Sequence, residues 1–138
     1  MKNQVTSIEQ SKRLIEMGVP AEKASMGWFP VAEYTGKGLE MRLTGEYDLY
    51  CKDRTAIQYA ACIFHAFTVA DLLAVLPKTI WGDRKGWIHL IIRFPNEDHC
   101  KIVYDNSYNI LWKCDGSLLS CIVETIGWVV TNGYRLNP

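Results

Sequence analysis

The sequence has no surplus of either charge. Fifteen Lys and Arg side chains cancel fifteen Asp and Glu, which leaves no global field to gather a polyanion or an anionic membrane surface. Any such binding has to come from a local patch. A long apolar run is lacking too, since nothing approaches the roughly 20 residues that a membrane span requires. The opening MKNQVTSIEQ carries no apolar core of a secretion signal, so the expected compartment is the cytoplasm, with no membrane partner. The cysteines lack the close pairing of a zinc knuckle or a disulfide framework. Cys51, Cys62, Cys100, Cys114 and Cys121 are scattered and odd in number, and reduced thiols are the expectation. No phosphate-binding loop, dinucleotide fingerprint, H-E-x-x-H or G-x-S-x-G occurs, which removes the enzyme classes those motifs serve. With no internal repeat and no linker rich in Pro, Ser or like charge, residues 1–138 read as one domain.

What is present is apolar and aromatic. An apolar share of 49%, with five Trp and seven Tyr, suffices for one core in a chain of this size without covalent staples.

Thr6 and Glu9 have capping-box spacing ahead of Ile8, Leu14, Ile15 and Met17, predicting a helix over 7–17 that Gly18 ends and Pro20 does not continue. The following PAEKASM suits one more short turn, with Pro20 at its first position. From Gly27 to Asp53 the pattern is aromatic and glycine-punctuated, and Leu39, Met41 and Leu43 alternate with Glu40, Arg42 and Thr44; short strands or ordered loop are expected. AIQYAACIFHAF is apolar and too short to separate helix from buried strand. Thr68 and Asp71 repeat the capping box ahead of Leu72, Leu73, Val75 and Leu76, and Pro77 stops that helix.

After a WGDRKG loop, Ile88, Leu90, Ile92 and Phe94 alternate with Trp87, His89, Ile91 and Arg93, the period of a strand with one buried face. PNED turns the chain into two further strands, Cys100 to Asp105 and Asn109 to Cys114, joined at Asn106 and Ser107. A three-residue loop would set Cys100 opposite Cys114, Ile102 opposite Trp112, Tyr104 opposite Ile110 and Lys101 opposite Lys113, giving one uniformly apolar face. A two-residue loop would set His99 against Cys114 and mix the faces, so the first register is favoured. In the last stretch Asp115 or Ser117 can cap and Gly133 can terminate a helix whose Leu118, Ile122, Ile126 and Val129 share one arc, flanked by Leu119, Val123 and Val130 and by Cys121 and Trp128. The order implies an α+β fold, a three-stranded or larger antiparallel sheet packed by N-terminal, central and C-terminal helices.

Three segments, SIEQSKRLIEMGVPAEKASM, FTVADLLAVLPKTI and IGWVVTNGYRLN, resemble those of small uncharacterised proteins carried by prophages and mobile elements of gut-dwelling anaerobic bacteria. Trp28 to Ile63 lies outside the likeness. The resemblance implies a bacterial or phage accessory protein and, the family having no established activity, carries over no catalytic residue and no cofactor.

The cysteines and histidines deserve weighing as chemistry. Cys62 and His65 are three apart, which on a helix puts them on one face, but His99 and Cys100 are adjacent, and adjacent strand side chains point to opposite faces. Cys121 lies near a helix start, yet its neighbours are apolar, the setting of an inert buried thiol. Glu97 and Asp98 sit in a turn, where solvation explains them. No catalytic, cofactor or metal residue is assigned. The surface singled out is the face of the meander opposite the core: Trp87, His89, Arg93, Lys101 and Lys113, with Trp81, Arg84 and Lys85 in the preceding loop. Aromatics beside cations suit a protein hot spot or stacking of single-stranded nucleic acid. A solvated face, or one covered by residues 28–50, is the plainer alternative. The expected function is a non-enzymatic protein-interaction or regulatory module that binds a protein partner or itself, with nucleic-acid binding as the alternative.

Overall fold

The computed structural model describes residues 4–34, 41–52, 64–97 and 99–138. In order it contains α1 (Ile8–Glu16), a single 3-10 turn (Ala21–Lys23), β1 (Met26–Tyr34), β2 (Met41–Cys51), β3 (Phe64–Ala66), α2 (Val69–Val75), β4 (Thr79–Gly82), β5 (Gly86–Asn96), β6 (His99–Asp105), β7 (Ile110–Gly116) and α3 (Leu118–Thr131). Two antiparallel sheets result, β2-β1-β3 and β4-β5-β6-β7. The fold is α+β, with a larger meander than the minimum expected and a second sheet beside it.

The first helix is capped one residue later than the sequence suggests. Ser7 accepts from the Gln10 amide at 3.1 Å while the Gln10 side chain accepts from the Ser7 amide at 2.9 Å, closing the capping box that Thr6 and Glu9 were expected to form. Thr6 is fully buried instead. Its hydroxyl pairs with Ser11 Oγ at 2.6 Å and accepts from the Phe67 amide at 2.9 Å, tying α1 to the strand that leads into α2. A buried hydroxyl without partners would cost more than a cap contributes. Gly18, at φ 106°, ends α1 as expected. Thr68 and Asp71 form their capping box, and α2 stops at Leu76, just before Pro77. Asp71 also accepts from the backbone and hydroxyl of Ser25, so one carboxylate holds a helix start and a loop together.

The stretch expected as short strands or loop is a long hairpin of β1 and β2, interrupted by a register shift between Pro30 and Ala32. Pro30 has no amide hydrogen to give the ladder, which suits an irregularity there. Leu39 and Glu40, and Cys62 with the rest of residues 53–63, lie outside the described residues. Phe64–Ala66 is strand, not helix, so His65 belongs to β3 opposite Gly27. Its Nδ1 lies 2.7 Å from Lys52 Nζ, and burial followed by the Lys52 charge pushes the imidazole below its usual range.

WGDRKG is not simply a loop. Thr79–Gly82 pairs with β5 so that Ile80 faces Ile88, Trp81 faces Trp87, and Gly82 faces Gly86 across a three-residue turn. Gly86 takes φ 71°, the left-handed residue such a turn needs. Its mirror-symmetric spelling, Ile-Trp-Gly against Gly-Trp-Ile, was the available signal.

The β6–β7 register corrects both hairpins considered from sequence. Cys100 faces Gly116, Lys101 faces Asp115, Ile102 faces Cys114, Val103 faces Lys113, and Tyr104 faces Trp112. The loop is longer because Asn106 organises it, with Oδ1 accepting from the amides of Tyr108 and Asn109 and Ser107 at φ 74°. The ladder shifts again between Tyr104 and Asp105. A two-residue slide preserves which face each side chain occupies, so the apolar inner face survives the correction. The slide also puts a carboxylate rather than Lys113 opposite Lys101.

Helix α3 packs on β6 and β7 with α1 and α2 beside it. Leu14, Phe67, Leu72, Leu76, Ile88, Ile102, Ile122 and Ile126 form the dry centre. Tyr104, Trp128 and Trp112 stack in sequence, with centroids 5.3 and 5.9 Å apart, and each buried polar tip has a partner, Tyr104 OH donating to Pro77 O at 2.6 Å and Trp112 Nε1 to Thr125 Oγ1 at 3.0 Å. Ser117 stands at the N-cap of α3 but makes no side-chain cap bond, and Gly133 at φ 77° follows its last turn. No helix among the described residues is long and apolar enough to cross a membrane.

Candidate functional site

Alternation along β5 and β6 decides what reaches solvent. Ile88, Ile102 and Tyr104 are fully buried, while Leu90, Ile92, Trp112 and Cys114 pack partly against the same core. Their sequence neighbours therefore point away from the helices. Phe94, expected on the core side, stands near the end of β5 and is 62% exposed.

The outer face carries most of the surface singled out from sequence. Trp81 and Trp87 lie opposite each other, edge to face at 5.1 Å, and remain 55% and 58% exposed. His89 and Arg93 continue β5 on that side, both exposed. Lys101 is half-buried and Lys113 exposed. That exposure does not fit the alternative in which another part of the chain covers these tryptophans. At the centre, Val103 is buried between Ile91 and Lys113, its cross-strand neighbours.

Two features depart from the sequence expectation. Acidic side chains share the face: Asp105 faces His89 and Asp115 faces Lys101. Asp115 lies 3.7 Å from Lys113 Nζ and 3.9 Å from His99 Nε2. The face is therefore mixed in charge rather than basic. Arg84 and Lys85 belong elsewhere: on the β4–β5 turn, they line a shallow concavity of about 410 Å³ with Trp81, Asp83, Asn132 and Tyr134. Asn106 donates to Lys85 O at 3.1 Å and joins this turn to the β6–β7 loop. Sequence reasoning missed Asp105 and Asp115 because strand polarity was read for the basic side chains alone.

Three of the cysteines occupy the opposite side. Cys100 and Cys121 are buried and Cys114 is half-buried, reduced and close to one another beneath α3, with Cys121 Sγ 3.9 Å from Cys100 O. Burial, then the hydrogen bond and charge of Cys114, push the Cys121 thiol up to about 12, and burial likewise raises Cys100. Such thiols stay protonated near neutrality and are poor nucleophiles. His99 points to the other side, as the adjacent-residue argument required. No group of three His, Cys, Asp or Glu among the described residues is arranged to hold a metal ion.

A second concavity lies at the start of α1 and the β1–β2 hairpin. Trp28, Ser7, Ile8, Glu9 and Tyr47 line about 330 Å³ of mostly apolar space, and the Trp28 indole donates to Thr6 O at 3.0 Å. Comparison with protein families, curated proteins and solved structures finds no match for this chain.

Proposed function

We propose that this chain is a non-enzymatic interaction module, an accessory protein of bacterial or phage origin, that docks a protein through the outer face of β4–β7. The observation that carries this reading is the Trp81–Trp87 pair, two large aromatics more than half exposed and held edge to face by strand pairing. Leaving such area in water forgoes burial worth about 25 cal/mol per Å², and rigid aromatics ringed by polar groups are how binding hot spots are built. The mixed charges around the pair support a protein over a polyanion, because Asp105 and Asp115 would repel phosphates.

The nucleic-acid alternative keeps one supporting observation, the concavity that joins Trp81 and Tyr134 to Arg84 and Lys85. Asp83 in the same lining opposes it.

A photo-crosslinking residue in place of the exposed Thr79, beside Trp81, tests the reading in the native host. Protein adducts that disappear in the Trp81→Ala, Trp87→Ala double variant are the expected result. Adducts to RNA or DNA, or retention on single-stranded DNA that falls steeply with salt, would replace the protein reading with the alternative.

A further inference from the structure

Resting on the reading of the outer face as a protein-docking surface, we propose that its occupant is a second copy of this chain, packed sheet against sheet about a twofold axis that crosses the strands through Ile91 and Val103. The register divides the face into rows. Trp81 and Trp87 form the first, followed by Thr79, His89 and Asp105. Ile91, Val103 and Lys113 form the central row, and Arg93, Lys101 and Asp115 the next. An isologous contact requires a surface complementary to itself.

A twofold axis along the central row reverses the strand direction and lays each row of one copy over the row equally far from the axis on the other. Ile91, half-buried, meets its counterpart beside the already covered Val103, a small apolar centre for the self-contact. Asp105 then lies over Lys101 of the second copy, and Lys101 over Asp105, so the opposite charges on β6 pair twice. The Trp81–Trp87 row falls beyond Arg93 of the second copy, where exposed Pro95 stands and where an indole can also meet the guanidinium. Lys113 meets its own counterpart only at the edge strand, where Asp115 at 3.7 Å offsets its charge.

The other twofold, running along the strands between β5 and β6, would lay Arg93 over Lys101 of the second copy and set cation against cation. Like charges brought together across an interface are what specificity excludes. Four strands about 4.8 Å apart and rows about 6.7 Å apart give a footprint on the order of 500 Å² per copy, the small end of specific interfaces. A dimer that forms at micromolar to submillimolar concentration fits that size.

Sedimentation equilibrium of the full chain, with Lys101→Asp, Asp105→Lys and the double reversal, tests this pairing. The wild-type chain is expected to dimerise, each single reversal to weaken association by roughly tenfold because both symmetry-related contacts become repulsive, and the double reversal to restore it to within about threefold. Circular dichroism of each variant confirms that the fold is kept. A wild-type chain that stays monomeric, or a double reversal as weak as either single one, overturns the pairing. The Thr79 crosslinker separates the two levels: a monomeric chain that still forms adducts with a different protein overturns only the second copy as occupant, whereas a monomeric chain without protein adducts overturns the docking reading as well.

Discussion

Residues 100 to 105 of β6 present two surfaces from one strand, and their difference separates what stabilises this fold from what is available for binding. Inward, Cys100, Ile102 and Tyr104 are almost wholly buried against α3. Outward, Lys101 and Asp105 flank Val103, the one apolar side chain of the three. The inner series excludes water, satisfies its polar tip on Pro77 O and keeps its thiols protonated. The outer series keeps charges of both signs in reach of solvent around a small apolar centre. Tryptophan shows the same division: Trp112 and Trp128 stack within the core side, Trp81 and Trp87 face water. A residue type thus says little about its role here; strand parity says a great deal.

The sharpest way to break the comparison is truncation on each side. Ile102→Ala should cost about 2–5 kcal/mol, read from urea denaturation, because it opens a cavity in the dry centre. Trp81→Ala with Trp87→Ala should leave stability within about 1 kcal/mol of wild type, since side chains more than half exposed bury little, while removing docking. Next in size is Tyr104→Phe, which leaves Pro77 O buried without its donor. A loss of about 1–3 kcal/mol is expected in the same denaturation.

The thiols give a pH test. Cys100 and Cys121 have native pKa values above the unfolded ones. Above the ordinary thiol range the unfolded chain releases protons that the native chain retains, so stability falls as pH rises past about 9. Cys121→Ala should flatten that alkaline decline in a series of thermal melts, whatever it costs at neutral pH. His65 acts at the other end: its native pKa is lowered, the unfolded chain binds the proton first, and stability declines as pH falls through about 6. His65→Gln should reduce that acidic slope. The smallest effect belongs to Asp115→Asn, which removes a long, solvent-exposed ion pair to Lys113 and a 3.9 Å contact with His99. A change below about 1 kcal/mol is expected.

Much of the inner architecture was legible because periodicity and capping are local. The Thr68 and Asp71 box, the Gly18 stop, the wide apolar arc of α3 and the parity of β5 and β6 each follow from a few neighbouring residues. What failed depended on longer-range choices. Thr6 lost the cap of α1 to Ser7 because its hydroxyl found a buried partner on the chain before α2, sixty-one residues away. The β6–β7 register turned on the side chain of Asn106 recruiting two amides, which no count of loop residues reveals. Strand β4 was hidden by its turn residues, although Ile80-Trp81 mirrors Trp87-Ile88. On the outer face, Trp87, His89 and Arg93 were placed correctly, but the acids opposite His89 and Lys101 emerge only when the register is known. That is why a face expected to be basic is mixed.

Fluorine NMR of the chain labelled with fluorotryptophan tests the central claim most directly, because each of the two surfaces contributes its own pair of resonances. On raising the concentration from dilute to millimolar, the signals of Trp81 and Trp87 should shift together while those of Trp112 and Trp128 stay in place. Outer signals that never move would contradict a second copy as the occupant, and outer and inner pairs that move alike, set against the fifth signal from Trp28, would contradict the assignment of docking to the outer face.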